Sequence, residues 1–212
     1  MKKTLIALLA LVTLQSFAQN DLNAKKILDG VSSKFKSFKT VQATYNLTVT
    51  NKAGKNAGTK VGTIYLKGQK YQITDKGIKI FSDGKKVWKF EPAANEVSIS
   101  AVDPNNQSIT PAKLLSNFYE KDFSYKLNGN KKIGGKQLAE IELTPTGKGR
   151  NFKKVLVYVD QAKQMIVSTK VFETSGNTYT YGISNFKTNN PLADNMFMFD
   201  KSKYPGVEEI EQ

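Results

Sequence analysis

The feature that most constrains the fold is a period of two in the apolar residues, which persists through most of the chain after residue 40. Alternating apolar and polar side chains are typical of strands that bury one face. Short turn signals such as Asp83-Gly84 and Asn128-Gly129 separate the segments, which favours hairpins. The sequence therefore predicts an antiparallel sheet of about ten strands with one solvated face. The alternating segments are Tyr45/Leu47/Val49, Ile64/Leu66, Tyr71/Ile73, Ile78/Ile80, Val97/Ile99, Phe123/Tyr125/Leu127, Ile141/Leu143 and Tyr179/Tyr181/Ile183.

Two segments break this period and are typical of helices. An apolar stripe after Asp21 predicts a helix near residues 22–36, and its members are Ala24, Ile27, Leu28, Val31 and Phe35. Thr110 followed by Pro111 is typical of a helix start. The apolar side chains that follow predict a second, short helix over residues 111–118, with Leu114, Leu115 and Phe118 on one side.

The predicted helices are too small to cover the predicted sheet. Ten strands about 4.8 Å apart, each roughly six residues long, form a face of roughly 45 by 20 Å. The two helices cover about a third to a half of that face. Since a flat sheet would leave the remainder in water, the sheet must curl towards a barrel. Its interior is then either filled by side chains or left as an apolar cavity, and the pattern alone leaves both outcomes open.

The first 18 residues are typical of a secretory signal peptide. Lys2 and Lys3 precede an apolar run from Leu5 to Leu14, which is too short to span a membrane. We expect cleavage near Ala18 and a single mature domain over residues 19–212. The chain contains no cysteine, so no lipid-modified Cys can anchor it, and we expect a free, soluble mature protein.

The composition argues against catalysis and against nucleic acid as a partner. With neither His nor Cys, the chain cannot build a Ser-His-Asp or Cys-His site, or a metal site with these ligands. The formal net charge is +14, but Arg150 is the single arginine among 32 basic residues, whereas base-reading surfaces favour arginine. Glu140 and Glu142 are best interpreted as an exposed strand face. We expect no catalytic residue, no metal and no cofactor.

Several segments share their order and spacing with a known family. Ser37-Phe38 follows the opening helix, and Gly62–Lys67 leads into a basic turn. The further segments are Phe81–Pro92, which contains Asp83-Gly84 and Trp88, then Glu96-Val97, Phe197-Met198-Phe199 and Pro205-Gly206-Val207. Together they resemble the periplasmic outer-membrane lipoprotein carrier family (LolA) over the whole mature chain.

This resemblance implies a mainly β (α+β) fold, an antiparallel unclosed β half-barrel with helices covering the concave apolar face. It implies a monomeric periplasmic carrier that is not an enzyme and shelters the acyl chains of lipoproteins. The implied partners are acylated lipoproteins, an inner-membrane lipoprotein-releasing ABC transporter, and an outer-membrane acceptor lipoprotein or membrane. The missing Cys favours the carrier over the acceptor. The alternative is a non-catalytic envelope protein of the same fold that binds another amphiphilic lipid or misfolded envelope proteins.

The resemblance also assigns residues to the acyl-binding site, although each of them fits plain core packing as well. They are Val31, Phe35, Leu47, Ile64, Leu66, Tyr71, Ile73, Trp88, Leu114 and Leu115. One position departs from the family, which places an Arg that bonds to the covering helices at the turn after residues 62–67. Here that position is Gly68, so only the neighbouring Lys67 or Lys70 is left to replace the Arg, without its planar fork.

Overall fold

The computed structural model describes residues 21–102, 119–147 and 149–212. The predicted signal peptide and the predicted helix over 111–118, with Leu114 and Leu115, lie outside the described residues. The helices are α1 (Leu22–Lys36), α2 (Tyr119–Asp122) and two 3-10 helices (Asp194–Phe197 and Lys201–Lys203). The strands are β1 (Val41–Thr50), β2 (Asn56–Lys67), β3 (Lys70–Thr74), β4 (Lys79–Ser82), β5 (Lys86–Glu91), β6 (Glu96–Ala101), β7 (Phe123–Ile133), β8 (Lys136–Pro145), β9 (Phe152–Asp160), β10 (Met165–Glu173), β11 (Thr178–Thr188) and β12 (Glu208–Glu211).

The predicted first helix is confirmed as α1, and Asp21 fixes where it begins. One carboxylate oxygen of Asp21 accepts hydrogen bonds from the amides of Asn23 (2.8 Å) and Ala24 (3.1 Å). The other accepts from the Leu127 amide of β7 at 3.1 Å, so the same side chain caps the helix and attaches it to the sheet. These backbone hydrogen bonds hold the pKa of Asp21 below its usual value.

The twelve strands form one sheet in the order β12-β6-β5-β4-β3-β2-β1-β11-β10-β9-β8-β7. Since β1 pairs with β11, this seam joins a half built from β1–β6 to a half built from β7–β11. The outer strands β12 and β7 do not pair within the described part of the chain, which confirms the unclosed β half-barrel. One pairing differs from the antiparallel prediction, because β12 runs parallel to β6.

We call the face that α1 packs against the concave face and the opposite face convex. Ala24, Leu28 and Val31 of α1 pack there against an apolar cluster on β7–β10. The register sets the valines of β9 level with apolar residues of β8, which pairs Val157 with Ile141 and Val155 with Leu143. A second concave cluster covers β1–β3. The core therefore follows the concave face across both halves of the sheet.

The prediction of one solvated face is wrong at β4–β6, because the C-terminal segment, residues 194–207, covers the convex side there. Phe81 and Phe90 are buried on that side, although their chain neighbours point to the concave face. The Phe90 ring centroid lies 5.5 Å from that of Phe199 and 4.3 Å from that of Tyr204. Aromatic packing between distant parts of the chain thus gives these strands apolar contacts on the convex face.

Candidate functional site

Most of the strand residues assigned to the site lie together on the concave face. The register pairs Leu66 with Tyr71 and Ile64 with Ile73 across β2 and β3, so these four side chains point the same way. Ile64, Leu66 and Ile73 are buried, and Tyr71 and Leu47 pack against them while partly buried. From the helix, Phe35 joins this cluster and Val31 joins the neighbouring one. The structure therefore brings seven of the assigned residues to the concave side of the sheet, six in one apolar cluster and Val31 in the other.

Trp88 is separated from that group. It pairs with Phe81 of β4 and Ile99 of β6, and so points to the convex face. There it packs against the cluster of Phe90, Val97 and Val207. The resemblance assigns Trp88 to the acyl-binding site, whereas the structure places it on the opposite side of the sheet from Leu66 and Tyr71.

An apolar stripe along the β1–β11 seam completes the concave face. Leu47 pairs with Tyr181, and Val49 pairs with Tyr179, so the four side chains form two adjacent rows. All four are only partly buried. We name this group the seam stripe. Of its members, sequence reasoning assigned only Leu47 to the site, because the pairing of β1 with β11 joins segments that are distant in the chain.

The β2 residues beside the seam stripe leave it uncovered. Lys60 pairs with Leu47 and Gly58 pairs with Val49, so a lysine and a glycine lie next to the stripe on the concave face. Lys60 and Gly58 are both exposed. Glycine offers no side chain to close the gap, and a lysine can extend its ammonium into water. The concave face is therefore apolar along the seam and carries an exposed lysine, Lys60, beside it.

Three tyrosines of the concave face, Tyr45, Tyr71 and Tyr181, have raised pKa values and so contribute no charge near neutral pH. Burial raises the pKa values of Tyr71 and Tyr181 above the ordinary phenol range. The pKa of Tyr45 is also raised, first by burial and then by Asp75, whose carboxylate accepts the Tyr45 hydroxyl hydrogen bond at 3.2 Å. These phenols remain protonated hydrogen-bond donors in a largely apolar surface.

The turn at Gly68 does not reach towards α1. Gly68 has a φ of 58°, and no heavy atom lies within 4 Å of where its Cβ would be. The register pairs Lys67 with Lys70, and both point to the convex face. Their ammonium groups lie 2.8 Å and 3.2 Å from carboxylate oxygens of Asp194 in the first 3-10 helix. These lysines therefore hold the C-terminal segment rather than the helix over the concave face.

Two further properties concern membranes and metals. Among the helices that the structure describes, none combines the length and the apolar character needed to cross a membrane. Across the same described ranges, Asp and Glu side chains nowhere gather in groups of three or more that could hold a metal ion.

The fold is an unclosed β half-barrel with an apolar concave face under a helix. A family described as "Outer membrane lipoprotein carrier protein LolA" matches residues 36–200, and the chain belongs to this family. The resemblance drawn from the sequence motifs is thereby confirmed.

Individual proteins agree with this assignment. The chain is 30% identical over 173 residues to an outer-membrane lipoprotein carrier protein of Pasteurella multocida (strain Pm70), covering 79% of this chain and 78% of that protein. It is 28% identical over 218 residues to the protein of the same description from Haemophilus influenzae (strain ATCC 51907 / DSM 11121 / KW20 / Rd), covering 100% and 98%. The fold is similar to the crystal structure of an uncharacterized conserved protein from Thermus thermophilus, with a TM-score of 0.61, 13% identity, and coverage of 90% and 99%.

Proposed function

We propose that this protein is a periplasmic carrier that shelters the acyl chains of lipoproteins against its concave face and moves them from the inner to the outer membrane. The observation that carries the proposal is the seam stripe, an apolar surface that stays partly exposed beside a buried core. Exposed apolar surface of this kind is stabilised by an apolar guest, since each buried CH₂ contributes about 0.8 kcal/mol. The family to which the chain belongs supports lipoproteins as the source of that guest.

The proposal includes export and partners. The protein leaves the cytoplasm through its leader, is cleaved near Ala18, and works as a monomer without catalysing a reaction. It receives acylated lipoproteins from an inner-membrane ABC transporter and delivers them to an outer-membrane acceptor lipoprotein or to the membrane itself. The names of the Pasteurella and Haemophilus relatives, both outer-membrane lipoprotein carrier proteins, support lipoproteins as the cargo.

The two faces of β1 provide a matched test. Leu47 and Thr48 are adjacent and both partly buried, but Leu47 points to the concave face and Thr48 to the convex face. Leu47→Gln places an amide beside the proposed acyl chain, and an unpaired buried amide costs about 1–3 kcal/mol. We therefore expect at least about fivefold weaker binding of a diacylated lipopeptide. Thr48→Gln should bind as the unmodified protein does.

Calorimetric titration with the lipopeptide measures the effect of each substitution on binding. The same titration with the peptide lacking acyl chains shows whether binding depends on those chains. Binding of the acylated peptide alone, weakened only by Leu47→Gln, supports a carrier of acyl chains. Equal binding of both peptides would contradict the proposal and favour a protein that recognises unfolded polypeptide instead.

A further inference from the structure

Two buried hydroxyl groups have no hydrogen-bond partner in the part of the chain that the structure describes. They belong to Ser32, which is 4% exposed, and Thr169, which is 3% exposed. A buried hydroxyl without a partner is uncommon, because its lost hydration is not replaced. Burying these two hydroxyls without a partner therefore does not stabilise the fold.

Both hydroxyls lie where the helix meets the sheet. Ser32 belongs to the buried stripe of α1, together with Leu28 and Val31. The helix contacts β10, and Thr169 lies on the concave face of that strand, level with Val157 of β9 and Tyr181 of β11. Tyr181 is itself part of the seam stripe. Ser32 thus lies on the side of α1 that packs on the sheet, and Thr169 lies on the concave face beside Tyr181 of the seam stripe.

Ser32 and Thr169 do not make the local hydrogen bonds that these residue types usually make. A serine in a helix commonly donates to the carbonyl one turn earlier, and a threonine can bond within its own strand neighbourhood. Neither bond is made by these two residues. The surrounding cluster consists mostly of valines, leucines and isoleucines, which offer no acceptor, and neither hydroxyl bonds to one of its tyrosine oxygens. Within the described ranges both hydroxyls therefore keep an unused donor, and because they are buried a guest reaches them only when α1 moves away from the sheet.

We propose that Ser32 and Thr169 bind the ester carbonyl oxygens of an O-acylated glycerol, which is the group that joins acyl chains to an acylated cargo. This inference rests on the proposed function and specifies the chemical class of its ligand. A hydroxyl donates to an ester oxygen without bringing a charge into the apolar interior. A free carboxylate would bring a charge, whose burial without a partner is far more costly.

Tyr181 adds a third hydrogen-bond donor beside these hydroxyls. Its cross-strand pairing with Thr169 places the two residues side by side on the concave face. Burial raises the pKa of the Tyr181 phenol, which keeps it a donor near neutral pH. A guest that offers carbonyl acceptors therefore fits this end of the face better than one that offers donors.

Two lipids that differ only in the carbonyl test the inference. The probes are 1-myristoyl-glycerol, which carries the ester, and 1-O-tetradecyl-glycerol, its ether analogue. They are titrated calorimetrically into the mature protein, into Ser32→Ala/Thr169→Val, and into the control Ser33→Ala/Thr180→Val. The control makes the same exchanges at exposed Ser33 of α1 and at Thr180, which points to the convex face of β11.

We expect the unmodified protein and the control to bind the ester about tenfold more tightly than the ether. The Ser32→Ala/Thr169→Val protein should lose this preference while keeping its affinity for the ether. Its melting temperature should not fall, because neither hydroxyl makes a bond that the substitution removes.

Binding of both lipids with equal affinity by the unmodified protein would overturn the inference and leave the carrier function standing. A preference retained in the double variant would overturn it as well. If the unmodified protein bound neither of these lipids and no diacylated lipopeptide, the proposed function would be overturned together with the inference.

Discussion

The ammonium group of Lys67 lies 2.8 Å from a carboxylate oxygen of Asp194 and 2.9 Å from the carbonyl oxygen of Leu192. This ion pair links the β2–β3 turn to the C-terminal segment on the convex side of the sheet. Lys70 reaches the other Asp194 oxygen at 3.2 Å. The two lysines nearest to Gly68, where the resemblance places an arginine directed at the covering helices, thus bind a carboxylate on the opposite face.

Removing the charge of Asp194 should loosen the C-terminal segment without unfolding the sheet. We expect Asp194→Asn to accelerate amide hydrogen exchange in residues 194–207, with little change in melting temperature, because exposed ion pairs stabilise proteins weakly. Exchange measured by mass spectrometry checks this, with Asp160→Asn at the distant β9–β10 turn as the control. Unchanged exchange in residues 194–207 would show that aromatic packing alone holds the segment.

Because of the same ion pair, the C-terminal segment should be held less firmly in acid. Hydrogen bonds from Lys67 and then Lys70 hold the pKa of Asp194 below its ordinary value of 3.8. Because the pKa of Asp194 is lowered, the ion pair's contribution to stability is present above pH 3.8. It is lost as the pH falls through the lower pKa of the folded state. Exchange in residues 194–207 should therefore change little between about pH 5 and pH 8, once corrected for the intrinsic rate, and rise in acid. Asp194→Asn should abolish the acid dependence.

An arginine at position 68 should strain the turn instead of fastening α1. Gly68 has a φ of 58°, which most side chains adopt at a cost of roughly 1–2 kcal/mol. We expect Gly68→Arg to lower the free energy of unfolding by about that amount in a urea titration, and Gly68→Asn to lower it less. An arginine variant that is fully stable but takes up an acyl probe more slowly would instead restore the role that the family gives this position.

Gly62 permits a close approach between β1, β2 and β3. A Cβ at this position would lie 2.6 Å from a ring carbon of Tyr45 and against the carbonyl oxygen of Thr74. Gly62→Ala should therefore destabilise the protein by about 1–3 kcal/mol, which thermal and urea unfolding would measure. Gly182→Ala on β11 is the control, since no heavy atom lies within 4 Å of its Cβ position. Equal stability of the two variants would contradict the packing at Tyr45.

The single arginine should not be replaceable by lysine. The Arg150 guanidinium lies 5.8 Å and 6.0 Å from the ring centroids of Phe123 and Phe152, and 3.1 Å from an Asp122 oxygen. A lysine keeps the charge but loses the planar stacking. We expect Arg150→Lys to lower the free energy of unfolding by about 1–2 kcal/mol, whereas Lys153→Arg at an exposed position should not change it. A stable Arg150→Lys protein would show that the stacking contributes little.

Local patterns were sufficient to predict α1 and most of the strands. The stripe from Ala24 to Phe35 and the cap at Asp21 act within one segment, so α1 appears with the predicted bounds. Alternation correctly groups Leu66 with Ile64 and Tyr71 with Ile73. By contrast, the Glu-rich β12 lacks an apolar alternation, and its parallel pairing depends on where the C-terminal segment ends.

The candidate site was only partly predictable for a related reason. Alternation shows that Trp88 and Phe90 share a face but not which face, and that choice is decided by Phe199 and Tyr204 far along the chain. The pairing of Leu47 with Tyr181 likewise depends on the non-local contact of β1 with β11. That the hydroxyls of Ser32 and Thr169 find no partner among the described residues becomes visible only when the helix and the sheet are placed together.

Photo-crosslinking of a cargo tests most directly whether the concave face is the acyl-binding site. A diacylated lipopeptide with a diazirine at the end of one acyl chain is bound to the mature protein, irradiated, and its attachment sites are mapped by mass spectrometry. We predict saturable attachment at the seam stripe, Leu47, Val49, Tyr179 and Tyr181, reduced by competing unlabelled lipopeptide. Attachment confined to the convex aromatic cluster of Phe81, Phe90, Phe199 and Tyr204, or no saturable attachment, would contradict the account.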